Sequence, residues 1–237
     1  YAVGGNAEAA RLAGVRVADA PQRDVAPVTV RGRTLTNGRV TARLDAHGHL
    51  AGLSVDGKVI ALQRGAGQLV LYPEQPANFG PWDIDRASLS LGRAANAPAK
   101  IETTADAIAV TREVGRASTA TIRYALQPGE SVLRLTVELD WHEPDTLLKL
   151  HFPTAYRGRE VRGGTPFGSV WRPQRATTRE AEAMWEWPMS RWAPGATCIS
   201  KVHLSALRIS TRSLLVVIDV CAIVAAPPIK RESMAAV

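Results

Sequence analysis

Apolar and polar positions alternate with period two from about residue 40 through the middle of the chain. Val40, Ala42 and Leu44 alternate with Arg39, Thr41, Arg43 and Asp45. Successive side chains of a strand leave opposite faces, so this period marks a half-buried strand. A turn follows at Ala46-His47-Gly48. Leu50 to Val55 and Lys58 to Leu62 then flank Asp56-Gly57, and Asp-Gly suits the positive φ of a tight hairpin turn. Gln68 to Tyr72 is a further strand candidate. The clearest alternation pairs Ala120, Ile122, Tyr124 and Leu126 with Thr119, Thr121 and Arg123. After the turn Gln127-Pro128-Gly129-Glu130, Leu133, Leu135, Val137 and Leu139 alternate with Arg134, Thr136, Glu138 and Asp140. This predicts an antiparallel hairpin with one wet face, and Leu133, Leu135, Val137 and Leu139 in the core. Leu147 to Phe152 continues the pattern. No long amphipathic helix separates these segments, so the fold class expected is an all-β, antiparallel β-sandwich.

The two ends read differently. Residues 1–27 are rich in Ala and Gly and form a short linker in this reading, with a short helix expected between Asn6 and Ala20. The tail from Cys198 holds both cysteines, Cys198 and Cys221, and ends beyond Pro227-Pro228. Its apolar run, Leu214 to Ala226, lacks a clean alternation. It is therefore expected to pack poorly against the rest, unless it is a central strand buried on both faces.

Composition narrows the function classes. A chain of 237 residues, 46% hydrophobic and 22% charged, has the make-up of a globular protein with a sizeable core. The net charge of +7 comes mostly from arginines scattered among acids. The densest stretch, Arg157 to Arg179, contains Glu160, so a contiguous nucleic-acid-binding face is not expected. Two cysteines exclude a disulfide scaffold, and neither belongs to a CxxC zinc pair. With no secretory pattern at Tyr1, the expected compartment is the cytoplasm. The run Leu214 to Ala226 is short for a bilayer span and contains Asp219, so no membrane partner is expected.

Chemistry concentrates in the stretch from Leu71 to Asp85, which gathers aromatics, prolines and acids. Trp82, Asp83 and Asp85 make a sugar-contacting surface in one reading: indole faces stack on sugar rings and carboxylates accept from hydroxyls. In the other reading the acids cap backbone donors of a structural loop, and spacing alone favours it. A glycosidase acid/base pair must face each other across the substrate, roughly 5 Å or more apart, which near-neighbours on one strand do poorly. His47 and His49 flank a glycine, but no acid or cysteine cluster joins them, so a solvated turn is preferred to a metal site. His142-Glu143 sits at a strand end and is either an acid/base unit or a corner. Trp185 and Trp187 alternate about Glu186 and are expected in the core.

An ordered series of motifs resembles the C-terminal region of glycoside hydrolase family 38 α-mannosidases. Leu35, Asn37, Asp45, Gly48 and Leu50 fit its first pattern. Gln68-Leu69, Leu71-Tyr72, Pro76 and Trp82-Asp83-Ile84-Asp85 fit the next, with a departure at Phe79-Gly80-Pro81. Asp140-Trp141-His142-Glu143, Leu147-Leu148-Lys149 and Phe152-Pro153 follow. Phe167-Gly168, Arg172-Pro173 and Thr177-Thr178 come after them, then Trp185-Glu186-Trp187-Pro188 and Arg191-Trp192-Ala193.

The resemblance implies a supersandwich-like, galactose-mutarotase-like domain over 28–195 and makes Trp141-His142-Glu143 a structural corner. It implies no catalytic residue and no metal ligand in this chain. Zinc and the catalytic aspartates belong to an N-terminal α/β domain, which is the implied partner, with an α-mannoside as substrate. Trp82, Asp83, Asp85 and Arg191 are then candidates for the rim of the mannose site. Residues 196–237 depart from the family pattern, as a reading-frame slip in a GC-rich gene would make them. The alternatives from other classes are a free-standing carbohydrate-binding module and, less favoured, a basic nucleic-acid-binding domain.

Overall fold

The computed structural model describes residues 25–74, 86–155, 160–165, 167–173, 178–179, 202–204 and 213–221. The described strands begin with β1 (Thr29–Arg31), β2 (Thr34–Thr36), β3 (Val40–Leu44), β4 (Leu50–Val55) and β5 (Lys58–Val59). Next come β6 (Gln68–Pro73), a 3₁₀ turn at Arg86–Leu91, β7 (Arg93–Ala94) and β8 (Lys100–Thr103). The long strands β9 (Ala107–Val114), β10 (Ser118–Ala125) and β11 (Val132–Asp140) follow. The series ends with β12 (Thr146–His151), β13 (Glu160–Thr165), β14 (Gly168–Pro173), β15 (Val202–Leu204) and β16 (Ser213–Cys221).

The described pairings are all antiparallel. One five-stranded sheet runs β1-β2-β3-β4-β5 and a second runs β16-β11-β10-β9-β8. A four-stranded sheet runs β15-β12-β6-β7, and β13 and β14 form a ribbon of their own. The fold class is all-β, as the alternation predicts.

The core forms where the alternating faces meet. Val40, Ala42 and Leu44 on β3 are buried, while Thr41 and Arg43 are exposed. From the second sheet come Ile108 and Val110, then Ala120, Ile122 and Tyr124, then Leu133, Leu135, Val137 and Leu139. The register sets them in rows: Ile122 lies between Val110 and Val137, and Tyr124 between Ile108 and Leu135. Leu69, Leu148 and Leu150 close the same core from the third sheet. The Asp56-Gly57 turn has φ of 48° and 76°, as a tight hairpin requires. Gly129, at φ 75°, lets the Gln127–Glu130 turn join β10 to β11.

One reading changes. The strand at Leu147–His151 does not keep one wet face: Leu147, Leu148, Lys149 and Leu150 are all buried. The tail supplies two paired strands, β15 along β12 and β16 along the whole of β11. Among the described strands, β16 lies at the outer edge of its sheet. The expectation for the tail concerns its side-chain packing, and what is described there is the backbone pairing. Asn6–Ala20 and Trp185–Trp187 lie outside the described residues.

Candidate functional site

The stretch from Leu71 to Asp85 begins on β6, so the β6–β12 ladder frames it. Leu147 faces Tyr72, Lys149 faces Val70, and His151 faces Gln68. Residues two apart share a face, so Tyr72, Lys149 and His151 stand together, opposite to Leu69, Leu148 and Leu150. The Tyr72 hydroxyl and His151 Nε2 are 2.9 Å apart and share a hydrogen bond. Lys149 Nζ lies 4.9 Å from the centre of the Tyr72 ring. Lys149 is 0% exposed, which decides that its ammonium is a component of the interior and not a surface charge. Val70, Tyr72 and Leu147 form a small apolar cluster around it. The chain returns to this face at Gly92, where a Cβ would overlap the Tyr72 ring. The arrangement can hold a cation over an aromatic face; among the described residues it places no carboxylate pair across a cleft.

The candidates His47, His49, His142 and Glu143 belong to turns and corners. Asp45 Oδ1 accepts from the amides of His47 and His49, fixing the turn that leads into β4. Arg112, buried on β9, donates to the carbonyls of Ala95 and His47, and so staples that turn to the second sheet. Gly48 sits where a Cβ would overlap Val110. Burial pushes the His49 imidazole below its usual range, with Arg112 and His47 adding to the effect and Asp45 opposing it. Its Nε2 is buried without a hydrogen-bond partner. Burial likewise pushes the Tyr124 phenol up.

Asn37 is buried and uses its whole side chain. It donates to the carbonyls of Gln127 and Glu130, at 2.7 and 2.8 Å. It accepts from the amides of Arg39 and Val40, at 3.0 and 2.8 Å. It thus ties the β2–β3 turn to the β10–β11 turn.

Glu143 does the same at the other end of the sandwich. Its Oε1 accepts from the amides of Arg116 and Ala117 and from the Ser118 hydroxyl, and Ser118 Oγ accepts from the amide of His142. Desolvation pushes the Glu143 carboxyl up, but these donors outweigh it and hold the group below its usual range. Gly115, at φ 74°, lies where a Cβ would overlap that carboxyl. His142-Glu143 is therefore a corner and not an acid/base unit.

Trp82, Asp83, Asp85 and Arg191 lie outside the described residues. Among the described residues no three His, Cys, Asp or Glu side chains gather as a metal site. His47 and His49 form no such group, and Asp45 Oδ1 beside them is engaged in holding the turn. No described helix is long and apolar enough to cross a membrane. The Tyr72–Lys149–His151 cluster escapes a reading by periodicity. Its one sequence signal is a lysine inside an otherwise apolar strand.

Residues 35–196 match the family described as "Glycosyl hydrolases family 38 C-terminal domain". The chain is similar to mouse Alpha-mannosidase 2C1, 27% identical over 180 residues, which are 70% of this chain and 17% of that protein. It is similar to human Alpha-mannosidase 2C1 at 26% over 169 residues, 65% of this chain and 15% of that protein. The chain thus spans about one sixth of the length of these curated relatives. Among solved structures, an alpha-mannosidase from Enterococcus faecalis V583 superposes with a TM-score of 0.47 and 12% identity, over 63% of this chain and 21% of that one. The family match begins in β2, runs past β14 and takes in Asn37, Asp45, Tyr72, Glu143 and Lys149, so the chain belongs to the glycosyl hydrolase family 38 C-terminal domain family.

Proposed function

We propose that this chain is the non-catalytic C-terminal part of an α-mannosidase, one that supports a separate catalytic domain and shapes the rim of its mannose site. The whole enzyme would hydrolyse terminal α-mannosides, with zinc and the catalytic carboxylates supplied by that other domain. The observation that carries this reading is the family match over 35–196. Asp45, His49 and Glu143 within the matched region support it too, since they are committed to turns and corners. Trp82, Asp83, Asp85 and Arg191 remain the proposed rim residues. The partners are the catalytic domain and an α-mannoside, with neither nucleic acid nor membrane, and the proposed compartment is the cytoplasm. The purified chain, with zinc added, should hydrolyse no chromogenic α-mannoside above a buffer blank. Hydrolysis that chelation abolishes would overturn the reading. So would flanking DNA that encodes no zinc-binding α/β domain in any adjacent frame.

A further inference from the structure

The β13–β14 ribbon pairs with no other strand among the described residues, and one of its faces carries an unusual set of groups. Arg162 lies directly opposite Trp171, and Gly164 opposite Ser169. Glu160 is opposite Pro173 on the same face, two residues from Arg162. The Arg162 guanidinium sits over the Trp171 ring, 5.6 Å from its centre. Its Nε donates to Ser169 Oγ at 2.6 Å, which fixes the guanidinium beside the indole. Trp171 is nevertheless 59% exposed, more than a ring covered on both faces would be. Glu160 and Arg162 are exposed, and among the described residues neither forms an ion pair.

We propose that this face, with Trp171 as stacking platform and Glu160 and Arg162 as flanking hydrogen-bonding groups, is a contact site for a neutral sugar, an α-mannoside. The inference rests on the glycosidase reading of the chain and adds to it a contact outside the rim residues. The open indole face suits the C–H face of a pyranose ring. Glu160 and Arg162 stand about 7 Å apart along the strand. They offer an acceptor and a donor to hydroxyl groups at the edge of a sugar ring stacked on the indole. An apolar protein surface fits less well, because it would bury both charges without partners. A nucleic acid fits less well because Glu160 would oppose its phosphates.

The test uses the full 237-residue chain, labelled with ¹⁵N and titrated with methyl α-D-mannopyranoside and an α-linked mannotriose. The Trp171→Phe spectrum identifies the Trp171 indole N–H signal by its absence. That signal should shift saturably with either sugar. Trp171→Ala should weaken binding at least tenfold, and Glu160→Gln or Arg162→Gln severalfold. Phe167→Ala, which removes the fully exposed ring at the ribbon's turn (103%), should change binding less than twofold. Far-UV circular dichroism checks the fold of each variant, and Arg162→Gln decides if Trp171→Ala does not fold. No saturable shift overturns the site. Saturable binding that survives Trp171→Ala also overturns it, by placing the sugar elsewhere, and leaves the family reading intact. Failure of that reading would show separately, as zinc-dependent hydrolysis by the chain alone.

Discussion

The face that β9, β10 and β11 turn to the core and the face that β6 and β12 turn away from it are both buried, but by different means. The first is nearly uniform, with Ile108, Val110, Ile122, Leu133, Leu135 and Val137 in cross-strand rows. Its cohesion is the removal of apolar area from water. The second buries a lysine against a tyrosine ring, with the tyrosine hydroxyl bonded to a histidine. There, cohesion depends on polar groups meeting particular partners, because an interior charge is costly unless matched. The first face tolerates exchange among apolar residues of like size. The second tolerates little beyond the residue it has.

The largest effect expected is on the first face. Leu135→Ala should cost about 2–5 kcal/mol, read from the denaturant midpoint. A loss below ~1 kcal/mol would mean that Leu135 is not the closely packed residue its register implies. On the second face, Lys149→Met keeps the length and removes the charge. The ammonium–ring contact alone is worth about 2 kcal/mol when desolvated, so a loss of at least that size is expected. A gain in stability would mean that desolvation of the lysine outweighs its contacts, and the contrast between the faces would collapse. The Glu143 corner sets a third, smaller case. Glu143→Gln should cost about 1 kcal/mol at neutral pH, through weaker bonds to Arg116 and Ala117. Because folding holds this carboxyl below its unfolded value of 4.5, its contribution is complete above that pH. It is lost as the pH falls through the folded value. The stability difference between wild type and Glu143→Gln should therefore shrink below about pH 4.5, and a difference that stayed constant would remove Glu143 from the acid response.

The same contrast explains what could be read from the sequence. Alternation located β3, β10 and β11, because their inward residues are apolar and their outward ones mostly polar. It does not single out β9, where Arg112 occupies an inward position between Val110 and Val114. That arginine is affordable only because the Ala95 and His47 carbonyls receive it, and both lie far from it in sequence. Lys149 misleads in the opposite direction, as a charge that suggests a wet face where there is none. The corner role of Glu143 came from the family motif and not from periodicity, and its donors across the β9–β10 turn supply the physical reason. The proposed rim residues Trp82, Asp83, Asp85 and Arg191 lie outside the described residues. The motif through Phe167-Gly168 and Arg172-Pro173 passes over Trp171, whose exposure is visible only once β13 and β14 are paired.

The Asn37 clamp also sets an order of events in time. Its bonds to Gln127 and Glu130 cross 90 and 93 residues, whereas each hairpin they join closes over a few. Local pairs form early because little chain entropy is lost in bringing them together, and distant ones wait. The clamp therefore closes only when two finished turns arrive side by side, which makes it a latch on the docking of the first two sheets. Pulsed hydrogen exchange during refolding should protect the β10–β11 amides before the side-chain amide of Asn37, which donates across to Gln127 and Glu130. Simultaneous protection would mean that turn and latch form in one step.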